Sequence, residues 1–123
     1  DDAAGKTEAS TVLEKEDTIA IYGSNEFAAK AIINANGGFS ESKLGADKIL
    51  AVGFDSGALQ QDAIRKGIFV GSVTQDPIQI GYQAVKLAVE AAQGKEVKDV
   101  DTGSKWYDAK NIDSDEIKDL LYE

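Results

Sequence analysis

Lys48-Ile49-Leu50-Ala51-Val52-Gly53-Phe54-Asp55 is the stretch on which the fold turns. Its centre, Ile49 to Val52, is continuously apolar. A continuous run implies burial on both faces, the mark of a parallel strand covered by helices. Residues 56–66 follow as a helix with Leu59, Ala63 and Ile64 inward, and Gly67 stops it. Residues 69–74 form the next strand. Upstream, residues 18–22 form a short strand ended by Gly23-Ser24-Asn25. The helix after it carries Phe27, Ala28, Ala31, Ile32 and Ala35 on one side, and Asn36-Gly37-Gly38 ends it. Residues 39–47 read as a polar connection. Residues 8–16 read as the tail of an amphipathic helix, with Ala9, Val12 and Leu13 on one face. The strand–helix–strand–helix–strand order predicts an α/β fold with a doubly wound parallel sheet and right-handed crossovers.

Past the third strand the pattern changes. Asp76-Pro77 opens a long helix over residues 79–93, since proline suits a first helical turn. Ile80, Ala84, Leu87, Ala88 and Ala91 make its apolar stripe, and Gly94 ends it. Residues 97–102 and 105–108 read as extended pieces broken by Gly103. Asp113 then reads as the cap of a final helix, with Glu116 completing a capping box and Ile117, Leu120 and Leu121 as its apolar stripe.

Composition narrows the chemistry. The 123 residues suffice for one modest domain, and 42% hydrophobic content suits a globular chain. No apolar run approaches the ~20 residues of a membrane span. The acidic start Asp1-Asp2 offers no secretory signal, so processing or trimming is expected upstream. A net charge of −9 disfavours nucleic acid and anionic membranes as partners. Cys, His and Met are all absent. That removes structural zinc, a thiol nucleophile, a histidine base and a Ser-His-Asp triad. No catalytic residue, metal ligand set or cofactor is expected.

What remains is a row of polar residues at strand ends: Ser24 and Asn25, then Asp55, then Gln75. If the three strands are parallel, all emerge on the rim where open α/β sheets bind ligands. A carboxylate at Asp55 can accept strong bonds from two neighbouring sugar hydroxyls; it can equally cap the helix that follows. The Gln75 amide both donates and accepts, as a hydroxyl does, or it is simply a polar loop residue. Ser24 and Asn25 are ligand groups or a helix cap. Phe54, and less so Trp106 and Tyr107, offer aromatic surface for the apolar face of a sugar ring. A phospho-receiver domain would need an acidic pair where Ser24-Asn25 stands. Neither G-x-G-x-x-G nor G-x-x-x-x-G-K-[ST] occurs.

Ala51-Val52-Gly53-Phe54-Asp55-Ser56-Gly57 resembles the sugar-site motif of type I periplasmic binding proteins, as does the run from Gly71-Ser72-Val73-Thr74-Gln75-Asp76-Pro77 through Ile78-Gln79-Ile80-Gly81-Tyr82. Tyr22-Gly23-Ser24-Asn25-Glu26 is similar to the family's Gly-Thr-Asn-Glu variant. Asp101-Thr102-Gly103, Trp106-Tyr107-Asp108 and Asn111-Ile112-Asp113 are similar to its tail. Order and spacing agree over about residues 8–113, most closely with ribose-binding-like proteins of ABC importers.

The resemblance implies non-covalent capture of a sugar or sugar-like solute between two lobes, for delivery to an ABC permease, and a periplasmic or extracellular location. It places Asp55 and Gln75 at ligand-binding positions, Phe54 beside the ligand, and Ser24 where relatives often carry Asn or Thr, with Asn25 as the next polar neighbour. It further implies that residues 1–76 form one lobe's α/β segment and that 77–100 cross to the other lobe. Residues 101–123 would then return and end in the terminal helix. Family members are more than twice as long, so the helix at 79–93 is expected to dock on a missing N-terminal half, a second copy, or its own lobe after refolding. The alternative is the effector domain of a LacI-type transcription regulator, which shares the fold and the Asp and Gln positions. It would carry a basic helix-turn-helix ahead of this segment.

Overall fold

In the computed structural model, which describes residues 1–40 and 42–122, the apolar run becomes the second strand of a four-stranded sheet. The elements in chain order are α1 (Asp2–Leu13), β1 (Ala20–Tyr22), α2 (Glu26–Ala35), β2 (Leu50–Phe54) and α3 (Ala58–Arg65). Then come β3 (Gly71–Gln75), α4 (Pro77–Ala92), β4 (Ser104–Tyr107) and a single-turn α5 (Asp115–Lys118). The sheet order is β1-β2-β3-β4, with the first three strands parallel and β4 antiparallel to β3. This is the expected α/β class with a mostly parallel sheet.

The core lies on one side of that sheet. Ala51, Gly53, Ser72 and Tyr107 alternate onto the covered face. Against them pack Ala29, Ala31, Ile32 and Ile33 of α2, Ala63 and Ile64 of α3, and the loop residues Ile68 and Phe69. Ala9 and Leu13 of α1 close over α2, and Ile112 and Ile117 complete the cluster from the C-terminal segment. Gly23 makes the β1–α2 turn possible by close approach: a Cβ there would lie 2.7 Å from the Ala29 backbone nitrogen.

The structure corrects several sequence expectations. The first helix, of which residues 8–16 are the expected tail, starts at Asp2, where the Asp1 carboxylate accepts the Ala4 N–H at 2.9 Å and caps it. It ends at Leu13 rather than 16. Phe27, expected inward, is 47% exposed at the α2 edge near Gly5 of α1. The continuous run in β2 is buried on one face only. Leu50 is exposed, Val52 and Phe54 are half-buried, and neighbouring Tyr22 and Trp106 are exposed on the same side. The helices α2 and α3 lie on the Ala51 side, so the other side has no comparable cover.

The C-terminal region also differs. Ser114 stands at the N-cap of α5 in place of Asp113, whose carboxylate pairs instead with Arg65 at 2.9 Å. Glu116 does not close a capping box; it pairs with Lys105 of β4. Of the two extended pieces, only the second becomes a strand. The long helix forms as expected, two residues earlier than predicted, with Pro77 in its first turn and Asp76 accepting the Gln79 N–H at 2.8 Å. None of its residues is buried.

Candidate ligand site at the strand rim

Because β1, β2 and β3 run parallel, their C-terminal ends share one rim. The three polar strand ends of the sequence are therefore brought to one edge. Ser24 and Asn25 follow β1, Asp55 follows β2, and Gln75 closes β3.

Asp55 has the most specific geometry. Its φ of 76 makes it the one left-handed non-glycine among the described residues. It does not cap α3: Gly57 holds that position without a side-chain bond. Its Oδ2 instead accepts the backbone N–H of Glu26 at 2.9 Å, across the sheet at the start of α2. The carboxylate so sits against a helix N-terminus, where exposed amides and the helix dipole favour negative charge. Of the two readings left open for Asp55, capping its own helix is excluded; it meets the neighbouring helix.

Asn25 is the N-cap of α2. Its Oδ1 accepts the Ala28 N–H at 2.9 Å, so that oxygen is committed to the helix. Ser24 is exposed beside it. Gln75 is exposed and lines a hollow of about 110 Å³ with Asp76, Thr102, Ser104, Lys105 and Leu120. Phe54 is half-buried on the open face of the sheet, between Asp55 and Val52. A larger hollow of about 510 Å³ lies at the opposite ends of β2 and β3, lined by Phe39, Leu44, Lys48, Lys66 and Ile68. Its polar side chains, Ser42, Asp47, Lys48 and Lys66, lie away from the row of polar strand ends, so its size alone does not make it the site.

Under the rim lies a buried polar cluster that sequence reasoning missed. The carbonyl oxygen of Asp55 accepts the Tyr107 hydroxyl at 2.8 Å and the Ser72 hydroxyl at 3.0 Å. Gln60 donates to the Phe54 carbonyl at 2.9 Å and reaches Ser72 Oγ at 3.3 Å. Thr74 donates to Ser56 Oγ at 3.1 Å, and both hydroxyls approach the Leu120 carbonyl. Tyr107, considered as a stacking surface, is fully buried and serves as a donor instead. Burial pushes its phenol up to about 12, which keeps the hydroxyl protonated. Trp106 is 44% exposed, lies over Gly71 and donates to Asp108 at 3.2 Å. The signals for the cluster were small polar residues, Ser72 and Thr74, at strand positions that point into a core.

Among the described residues no group of three acidic, His or Cys side chains stands close enough to hold a metal, and no helix is long and apolar enough to cross a membrane.

A family model described as "Periplasmic binding protein domain" matches residues 1–96. A solved structure from Brachyspira murdochii, described as "ABC transporter, LacI family transcriptional regulator", is 41% identical. It superposes with a TM-score of 0.85 over 100% of this chain and 41% of its own. An ABC transporter solute binding protein from Agrobacterium vitis with bound D-fucose is 28% identical, with a TM-score of 0.84 over 98% of this chain and 41% of its own. A carbohydrate transporter solute binding protein from Agrobacterium radiobacter in complex with D-arabinose is 25% identical, with a TM-score of 0.80 over 98% of this chain and 40% of its own. The chain thus spans about two fifths of the solved chains it matches. No curated protein matches it.

Proposed function

Because the chain belongs to the periplasmic binding protein domain family, we propose that it supplies one side of a site that captures a sugar non-covalently for ABC-type import. The supporting observation is the Asp55 carboxylate at the shared rim, held through one oxygen by the Glu26 amide. The second oxygen can accept a sugar hydroxyl in a charge-assisted bond. Gln75, on the adjacent strand, offers a paired donor and acceptor. Phe54 offers apolar ring surface. Ser24 and the amide nitrogen of Asn25 extend the row along β1. Capture needs no bond to be made or broken, which fits a rim without a nucleophile and base pair.

Residues 1–76 act as one lobe's segment in this reading, 77–100 as the crossover to another, and 101–123 as the return. The exposed stripe of α4 then belongs against a second lobe, and the opposing ligand contacts come from there. The working location is periplasmic or extracellular, and the partner is an ABC permease. The relatives bound to D-fucose and D-arabinose make those sugars the first probes.

Titration of D-fucose and D-arabinose into the isotope-labelled full chain, followed by NMR, tests the reading. We expect the side-chain signals of Asp55 and Gln75 to respond at millimolar sugar. If neither responds to either sugar, the rim is not a site for them. Micromolar affinity by calorimetry would instead refute the half-site. The effector domain of a LacI-type regulator is the second reading, supported by the description of the Brachyspira structure. A DNA-binding segment encoded in the same reading frame would favour it.

A further inference from the structure

Asp55 holds a backbone conformation that L side chains rarely adopt, with φ at 76. Aspartate visits that region more readily than most non-glycine residues, but still at a cost that its surroundings must offset. The surroundings are specific. Two hydroxyl donors converge on its carbonyl oxygen from two strands: Tyr107 on β4 at 2.8 Å and Ser72 on β3 at 3.0 Å. Gln60 on α3 stands 3.4 Å from the same oxygen and donates to Ser72 Oγ. All three side chains are 0% exposed. A carbonyl with two lone pairs takes two good donors, so the peptide plane after Asp55 is fixed by groups that water does not reach. Fixing that plane fixes the direction in which the Asp55 side chain leaves the strand.

We propose that Tyr107, with Ser72, is a positioning residue for the ligand contact of Asp55. It locks the left-handed turn, so that the carboxylate stays on the Glu26 amide with one oxygen left for the solute. Tyr107 belongs to the strand that follows the long helix α4, so the site at the end of β2 is completed by chain from beyond the crossover. The proposal rests on the reading of Asp55 as a ligand group, and its test separates the two.

The Glu26 amide is the reporter, because it bonds the Asp55 carboxylate and touches neither Tyr107 nor Ser72 in the bonds above. Tyr107→Phe and Ser72→Ala are made in the full chain and compared by NMR with the unaltered protein. The measurements are the Glu26 amide shift and exchange rate and the Asp55 Cα shift. The Ile33 amide, in the core of α2, serves as the fold control. With the lock removed, Glu26 exchanges about tenfold faster, as loss of one charge-assisted bond requires. Its proton moves upfield and the Asp55 Cα signal leaves its left-handed position, while Ile33 keeps its shift. A merely structural role lowers the melting temperature and leaves Glu26 and Asp55 unchanged; that result overturns the proposal. If Tyr107→Phe does not fold, the same readings on Ser72→Ala decide. A second arm adds D-fucose. Silence of Asp55 in the unaltered chain counts against the sugar reading for that probe, and the reporter amide still judges the lock. A response of equal size in the unaltered protein and in Tyr107→Phe also overturns the lock.

Discussion

The helices α2 and α4 carry similar amphipathic sequences and end up in opposite environments. Four residues of α2, Ala29, Ala31, Ile32 and Ile33, are buried against the sheet and α1. In α4 no residue is buried, and Ile78, Tyr82 and Val85 are each more than 60% exposed. Both helices are capped by a side chain at the N-terminus, Asn25 for one and Asp76 for the other. Local signals therefore set where each helix begins, and the presence of a facing surface sets whether its stripe is dry. Each apolar side chain removed from water contributes in proportion to its area, roughly 25 cal/mol per Å². That term stabilises this fold through α2 and contributes far less through α4 until something covers it.

The contrast breaks first at the core. Ile33→Ala should cost about 2–5 kcal/mol, because Ile33 is fully buried and its removal leaves a cavity under α2. Urea unfolding of the full chain measures it. A loss below 1 kcal/mol would mean that α2 is no better packed than α4. Next comes Gly23→Ala, where the added methyl meets the backbone of α2 at Ala28 and Ala29 rather than a side chain that can swing away. An overpacked contact of this kind costs typically 1–3 kcal/mol. It should also lift the start of α2 off Asp55, which the Glu26 amide shift reports.

Much of this was legible in the sequence, for identifiable reasons. Parallel strands with polar ends follow from the apolar run at 49–52 and from its neighbours in order, and the shared rim follows from that. Caps were harder. Asp113 and Glu116 have the spacing of a capping box, yet Arg65 and Lys105 compete for their carboxylates across the fold. Asp55 precedes a helix as a cap would, and its carboxylate goes to a different helix 29 residues earlier in the chain. Tyr107 looked like a surface for stacking because nothing near it in sequence announces the buried carbonyl it bonds, 52 residues away. Long-range polar pairing leaves no periodic trace, whereas burial does. The failure of burial on the open face of β2 has the same origin: the run shows that two covers are suited to it and not that two are present.

Alkaline titration probes the covered side more gently. Burial raises the Tyr107 phenol to about 12 in the folded state, against an unfolded value near 10. The unfolded chain therefore loses this proton first. The contribution of Tyr107 is complete below about pH 10 and declines as pH rises from about 10 to 12. Melting temperatures measured from pH 8 to 12 should fall more steeply for the unaltered protein than for Tyr107→Phe across the upper part of that window. Equal slopes would mean that Tyr107 is open to water and that the buried cluster is not closed.

The smallest effect is expected on α4, and it is the sharpest test of the contrast. Val85 is 67% exposed, so Val85→Ala removes little buried area and changes stability by no more than about 0.5 kcal/mol. Its backbone bonds face water along most of the helix, and its amides should exchange well before those of α2. A larger loss on Val85→Ala together with a melting temperature that rises with protein concentration requires a partner surface over α4 in solution, since association makes stability depend on concentration. The same substitution in a longer chain that carries a second lobe should then cost more, because there the valine has atoms to lose contact with.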